Sequence, residues 1–182
     1  METPFLYGPD TPLLLERLET IKQEWWQFWK STKLYIDNLR ITSLPYSLSP
    51  FLTHLYCAKT QISSLPPLSS CLVSLDCSYT PILQLPDLPT TLRYLTCSNT
   101  NLTSLPELPN TLEYLLCSNT LLRELPELPL SLHTLECNTT SLILQREETE
   151  SIQGYARRWR IWKEQKESKQ PPQDKTNHIK ED

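Results

Sequence analysis

Apolar residues recur along this chain on two periods. Between Leu34 and Leu144 they return every 20 residues, and on either side they fall at helical spacing. The longer period is clearest in LPDLPTTLRYLTCSNTNLTS from Leu85 and LPELPNTLEYLLCSNTLLRE from Leu105. There Leu85 returns as Leu105, Leu95 as Leu115, Cys97 as Cys117 and Thr100 as Thr120. It continues backwards as LPPLSSCLVSLDCSYTPILQ from Leu65 and forwards as LPELPLSLHTLECNTTSLIL from Leu125. A fixed period of this size signals a solenoid, in which each unit buries its apolar face against its neighbours.

Within a unit the short segment Leu95-Thr96-Cys97 alternates inward and outward residues and predicts a strand. Leu92, Leu95, Cys97, Leu102, Leu105 and Leu108 point into the coil, with their equivalents stacked above and below. Successive strands then pair in parallel, roughly 4.8 Å apart. Pro106 and Pro109 forbid a helix in LPELP, so an extended, polyproline-like back is expected. The first unit, from Lys33, is truncated: Leu34, Ile36, Ile41 and Leu44 take the places of Leu95, Cys97, Leu102 and Leu105. The next, from Leu44, carries one extra residue near Ser47 to Ser49 and regains register at Leu52.

Thr60, Thr80, Thr100, Thr120 and Thr140 fall where the turn leaves the strand. Their hydroxyls suit a ladder that satisfies backbone groups of adjacent turns. A row of reactive hydroxyls would need an activating base, and no unit carries one beside its Thr. Cys57, Cys77, Cys97, Cys117 and Cys137 are spaced by the repeat itself and are expected to pack inward as small hydrophobes. The strand spacing is wider than a disulfide prefers, and no CxxC or His-x3-His spacing suggests zinc. Cys71 lies outside the column and is the candidate reactive thiol.

The ends differ from the middle. Residues 1–10 form a polar lead-in, expected to be flexible. Thr11 as N-cap and Pro12 at the first helical position open an amphipathic segment with Leu14, Leu18, Ile21, Trp25 and Phe28/Trp29 on one stripe. Trp25, Trp26 and Trp29 suit a lid over the first repeat. A membrane-interface anchor is the alternative, disfavoured by the acidic residues opposite. Beyond the repeats Ile152, Tyr155, Trp159 and Trp162 define a second helical stripe, with Thr149 as a plausible N-cap. Arg157, Arg158 and Arg160 suit a solvated face better than a phosphate site, given the neighbouring glutamates. The domain plan is a lead-in at 1–10, a capping helix at 11–33, the solenoid at 34–145, a second capping helix at 146–169 and a disordered tail at 170–182.

In each unit LxxLxCxxTxL resembles the leucine-rich repeat, LxxLxLxxNxL, with Cys at the third apolar position and Thr at the Asn position. The LPxLPxxL preface resembles the short class of bacterial effector proteins, and the Cys-bearing version resembles repeats encoded by some large DNA viruses. The resemblance covers about Leu34 to Leu144. It implies an α/β repeat solenoid: a short curved coil, its parallel sheet on the concave face, its convex side extended, a helix capping each end. It also implies a role in protein binding in a host–pathogen setting. Such effectors often carry a separate ubiquitin-ligase domain with a catalytic Cys. No Cys follows Cys137, so that activity is not carried over.

Composition narrows the reading little. Sixteen prolines against two glycines reflect the repeat, and a net charge of −4 implies no strong attraction to nucleic acid or anionic membrane. No export signal or membrane-spanning run is evident, which points to a cytoplasmic, reducing compartment, that of the host cell for a viral or effector protein. His54, His133 and His178 are the only candidate histidine bases. His54 and His133 stand four repeats apart, and nothing resembles a catalytic triad, a phosphate loop or a paired-carboxylate cleft. No enzyme, cofactor or metal is expected.

Register assigns the outward residues to columns. Lys33, His54, Ser74, Tyr94, Tyr114 and Thr134 form one; Tyr35, Tyr56, Asp76, Thr96, Leu116 and Glu136 a second. A small polar column runs through Asp37, Ala58, Ser78, Ser98, Ser118 and Asn138. Aromatic residues supply large contact area at binding sites, though tyrosine also suits strands for its own sake. The candidate partner-binding set is Tyr35, His54, Tyr56, Asp76, Tyr94, Thr96, Tyr114, Leu116 and Glu136. The expected function is a monomeric, non-enzymatic protein-interaction module, with Asp76, Glu113 and Glu136 favouring basic groups. The alternative is an assembly component that docks through its Trp-rich end helices.

Overall fold

Six strands of three residues each lie in sequence order in one parallel sheet. The computed structural model describes residues 32–138, 142–147 and 149–168, which fall into two units divided after Gln145. The strands are β1 (Lys33–Tyr35), β2 (His54–Tyr56), β3 (Ser74–Asp76), β4 (Tyr94–Thr96), β5 (Tyr114–Leu116) and β6 (Thr134–Glu136). Lys33 therefore opens the sheet rather than closing a helical segment. The expected N-terminal helix otherwise lies outside the described residues, as do the lead-in and the tail.

Register follows the period. Leu34, Leu55, Leu75, Leu95, Leu115 and Leu135 are successive partners at the strand centres. The step from Lys33 to His54 is 21 residues where the others are 20, and the chain bends at Tyr46 and Ser47 to absorb the extra residue. Leu92, Leu95, Cys97 and Leu102 have no exposed surface, while Leu108 is half-buried. Burial of each leucine contributes about 1.5–3 kcal/mol, so the stack of columns is the core. The LPxLP segments form neither helix nor strand, because proline lacks the donor that either ladder requires.

Three-residue strands persist because pairing runs past their ends. Upstream, Glu113 and Tyr114 both donate their N–H groups to Arg93 O; downstream, Cys97 N donates to Leu116 O and Asn99 N to Ser118 O. The last of these needs a left-handed residue. Asn38, Lys59, Tyr79, Asn99 and Asn119, one per turn, all have φ between 55° and 60°. Asn accepts this conformation readily, whereas Lys59 and Tyr79 carry a Cβ cost there.

The two hydroxyl columns divide their work differently from expectation. Thr60, Thr80, Thr100 and Thr120 donate to the Cys carbonyl three residues back in the same turn, at 2.6–2.9 Å, and not across turns. Thr140 lies outside the described residues. The ladder between turns is carried by Thr91, Thr111 and Ser131, which donate to Leu72, Leu92 and Leu112 carbonyls of the preceding turn. Buried Cys thiols add weak bonds in the opposite direction, to the following turn: Cys57 Sγ lies 3.3 Å from Asp76 O and Cys77 Sγ 3.7 Å from Thr96 O.

Among the described residues the second unit contains one helix, α1 (Ile152–Glu167). Its N-cap is Ser151 rather than Thr149: Ser151 is extended, and its side-chain oxygen accepts the Gly154 N–H at 3.0 Å. Glu150 fixes the approach to the helix, accepting Arg158 Nε at 2.9 Å while its carbonyl accepts from Arg146. Trp159 stacks on Trp162, and the Lys166 ammonium lies over the Trp162 ring. No helix among the described residues is long and apolar enough to cross a membrane.

Candidate functional site

The first and third residue of every strand turn away from the core, so the sheet displays two outward columns one strand spacing apart per step. All nine candidate residues lie on them: Tyr35 on β1, His54 and Tyr56 on β2, Asp76 on β3, Tyr94 and Thr96 on β4, Tyr114 and Leu116 on β5, Glu136 on β6. The structure gathers most of them into two groups. Tyr35 stacks on Tyr56 with ring centroids 5.0 Å apart and planes within 4°, and His54 lies 6.1 Å from Tyr56. Tyr94 stacks on Tyr114 at 4.9 Å and 22°. Tyr35 is 55% exposed, and Tyr94 and Tyr114 are each 39% exposed, so these rings offer faces and edges to solvent. Asp76 lies between the groups, and Glu136 stands apart on the last strand. Thr96 and Leu116 are half-buried beside the second stack.

Two outward positions are not open. Ser74 and Ser78 are buried although register turns them away from the core. Ser74 is small between His54 and Tyr94, and Tyr56 leans over it with its hydroxyl 3.4 Å from Ser74 Oγ. The repeat alignment also left two polar features unread. Arg93 pairs with Glu113 at 3.0 Å just before the strands, and the Lys59 ammonium lies 5.8 Å from the Tyr79 ring at their exits. Residue spacing of 20 was the available signal for both.

Hydrogen bonding fixes the polar groups. Thr53 Oγ1 lies 2.7 Å from Thr32 O and 2.8 Å from His54 Nδ1. Both are hydrogen bonds only if the hydroxyl donates to the carbonyl and Nδ1–H donates to the hydroxyl, which in the neutral ring leaves Nε2 unprotonated. Partial burial, with Lys33 close by, lowers the His54 pKa and favours that neutral form. Asp37 accepts the Ala58 N–H at 2.8 Å, and Asp76 accepts the Ser78 N–H at 2.9 Å. Burial raises the Asp37 pKa, the Ala58 N–H opposes it, and the negative charge of Asp76 adds to the rise.

Reactive chemistry is poorly served by this arrangement. Burial pushes the Cys57 thiol up to about 12 and the thiols of Cys77, Cys97 and Cys117 well above their ordinary value, so these four stay protonated. No disulfide joins any of the six cysteines. His54 and His133 sit on and beside opposite ends of the sheet. Among the described residues no group of three or more His, Cys, Asp or Glu side chains is placed to hold a metal ion. The face presents flat aromatic surface, interrupted by carboxylate.

No family model matches the sequence, and no curated protein matches it. Solved structures do. YopM from Yersinia enterocolitica WA-314 is 34% identical with a TM-score of 0.63, over 65% of this chain and 26% of that one. A Shigella effector LRR domain is 27% identical with a TM-score of 0.64, over 78% of this chain and 63% of that one. The chain thus spans about a quarter of the first protein and somewhat under two thirds of the second.

Proposed function

We infer that this leucine-rich-repeat protein, similar in its coil to those of bacterial effectors, is a non-enzymatic module that binds a protein partner on the open face of its sheet. The observation that carries the reading is the pair of tyrosine stacks open to solvent on a sheet whose other outward residues, Leu116 apart, are small or polar. Aromatic side chains immobilised by stacking present contact area at low entropic cost, which is where binding energy concentrates. The contact set is Tyr35, His54, Tyr56, Asp76, Tyr94, Thr96, Tyr114, Leu116 and Glu136, with the carboxylates favouring basic groups on the partner. The absence of a disulfide among the six cysteines suits a reducing compartment, consistent with a cytoplasmic site of action.

Affinity capture from cells that naturally contain the protein tests this. Tyr94→Ala combined with Tyr114→Ala is expected to preserve the fold and abolish capture of the partner. Undiminished capture by the double variant would refute the assignment.

A further inference from the structure

The second outward column of the sheet changes character along its length. From β3 to β6 it reads Asp76, Thr96, Leu116 and Glu136, each the register partner of the next. The two acidic residues therefore stand three strand steps apart, roughly 14 Å at the backbone, with two uncharged positions between them. Tyr94 and Tyr114 lie beside those two positions, on the same strands but in the first column, stacked at 4.9 Å. Both rings are exposed, whereas Thr96 and Leu116 are half-buried, so the tyrosines border the middle of the strip on one flank. The residues that follow on the other flank, Ser98 and Ser118, are small.

Neither carboxylate forms an ion pair among the described residues. Two neighbouring cations are engaged elsewhere: Arg93 pairs with Glu113 at 3.0 Å, and the Lys59 ammonium lies over the Tyr79 ring. Asp76 Oδ1 accepts the Ser78 N–H at 2.9 Å, which orients the group and leaves Oδ2 for a donor from outside. Glu136 is exposed at the other end of the strip. The order of chemistry is thus acid, apolar, acid. An extended peptide advances about 3.4 Å per residue, so its residues i and i+4 face the same way about 13.6 Å apart, close to the separation of the acidic positions. The residue at i+2 shares that face and falls over the middle of the strip.

We propose that this strip seats an extended segment of the protein partner with basic residues at i and i+4 and an apolar residue at i+2. The basic groups pair with Asp76 and Glu136, and the apolar side chain packs on Thr96 and Leu116 beside Tyr94 and Tyr114. Charge pairs at the two ends fix register and partner choice, while the apolar contact between them excludes water. This assignment rests on the open-face reading and narrows it to five residues of the partner.

The test uses the full chain with ring-labelled tyrosine, its signals assigned through Tyr94→Phe and Tyr114→Phe, and four blocked heptapeptides. Gly-Arg-Ser-Leu-Ser-Arg-Gly carries the proposed spacing, and Gly-Arg-Arg-Ser-Leu-Ser-Gly has the same composition with its charges adjacent. The other two alter the spaced peptide, replacing leucine by serine or both arginines by citrulline. The spaced peptide is expected to shift the Tyr94 and Tyr114 signals and to bind about fivefold tighter than the adjacent one. Both replacements should weaken it. Asp76→Asn combined with Glu136→Gln should erase the preference for spacing with the tyrosine spectrum otherwise preserved, since the Asn side-chain oxygen can still accept the Ser78 N–H. Absence of ring shifts at millimolar peptide, equal binding of the spaced and adjacent peptides, or a preference that survives the double carboxylate variant would each overturn the proposal. Undiminished binding of the serine peptide would mean a purely charged occupant, and of the citrulline peptide a purely apolar one; either overturns it too. Any of these results with partner capture still lost in the Tyr94/Tyr114 variant would remove the basic–apolar–basic segment and leave the open-face reading standing.

Discussion

The hydroxyl of Thr100 donates to the carbonyl of Cys97, 2.8 Å away and three residues back in the same turn. Thr60, Thr80 and Thr120 repeat that bond, so the exits of β2, β3, β4 and β5 are each closed from within their own turn. The bond is buried, and deleting the hydroxyl strands a carbonyl away from water. Thr100→Val should therefore lower unfolding free energy by about 1–3 kcal/mol, read from urea denaturation. Thr100→Ser should restore most of the loss. A neutral Thr100→Val would show that the carbonyl finds another donor.

Tyr79 occupies a position where the equivalent turns use Asn38, Asn99 and Asn119, all at positive φ. The left-handed conformation costs a bulky L-residue roughly 1–2 kcal/mol, and Asn escapes part of that. Tyr79→Asn is expected to raise stability by up to about 1 kcal/mol even though it removes an exposed ring and its contact with Lys59. Loss of stability would mean that the Lys59–Tyr79 contact outweighs the strain.

The residues that were legible in the sequence, and those that were not, separate on one physical line. The period placed Leu75, Leu95 and Leu115 as neighbours because identical apolar positions have only one way to stack. Tyr94 and Tyr114 followed from the same arithmetic. Spacing does not say which way a hydroxyl points, so the Thr100 column was expected to bridge turns, a task that falls to Thr91, Thr111 and Ser131. Nor does it reveal that Ser74 is covered by Tyr56, since burial of an outward residue depends on the reach of its neighbours. The left-handed role of Lys59 and Tyr79 was available in principle, from alignment with the asparagines one and two turns on.

Cysteine reactivity should divide sharply. Cys57, Cys77, Cys97, Cys117 and Cys137 are buried, and Cys71 is exposed at the position that Thr91 and Thr111 occupy in later turns. Native protein treated with a thiol-specific alkylating reagent should be labelled at Cys71, with Cys71→Ser abolishing rapid labelling. In denaturant all six thiols should react. Rapid native labelling within the column would contradict the packing described for it.

Acidification should weaken the β2 region. Burial, with Lys33 nearby, lowers the His54 pKa from 6.5, so the unfolded chain binds a proton more readily than the folded one. The contribution of neutral His54 is thus fully present above pH 6.5 and is lost as pH falls through 6.5 toward the folded-state value. The urea midpoint should fall across that window, and His54→Gln should flatten the fall. Asp37 has the opposite sign in a lower window, because burial raises its carboxyl above 3.8. A pH response unchanged by His54→Gln would assign it to another group.

The most direct measurement is site-specific photocrosslinking in cells that naturally contain the protein, with a photoreactive phenylalanine placed at Tyr114 on the open face or at Glu107 on the LPELP back. The account predicts that the Tyr114 probe yields a covalent adduct with a discrete protein and the Glu107 probe does not. An adduct formed from Glu107 and not from Tyr114 would contradict it.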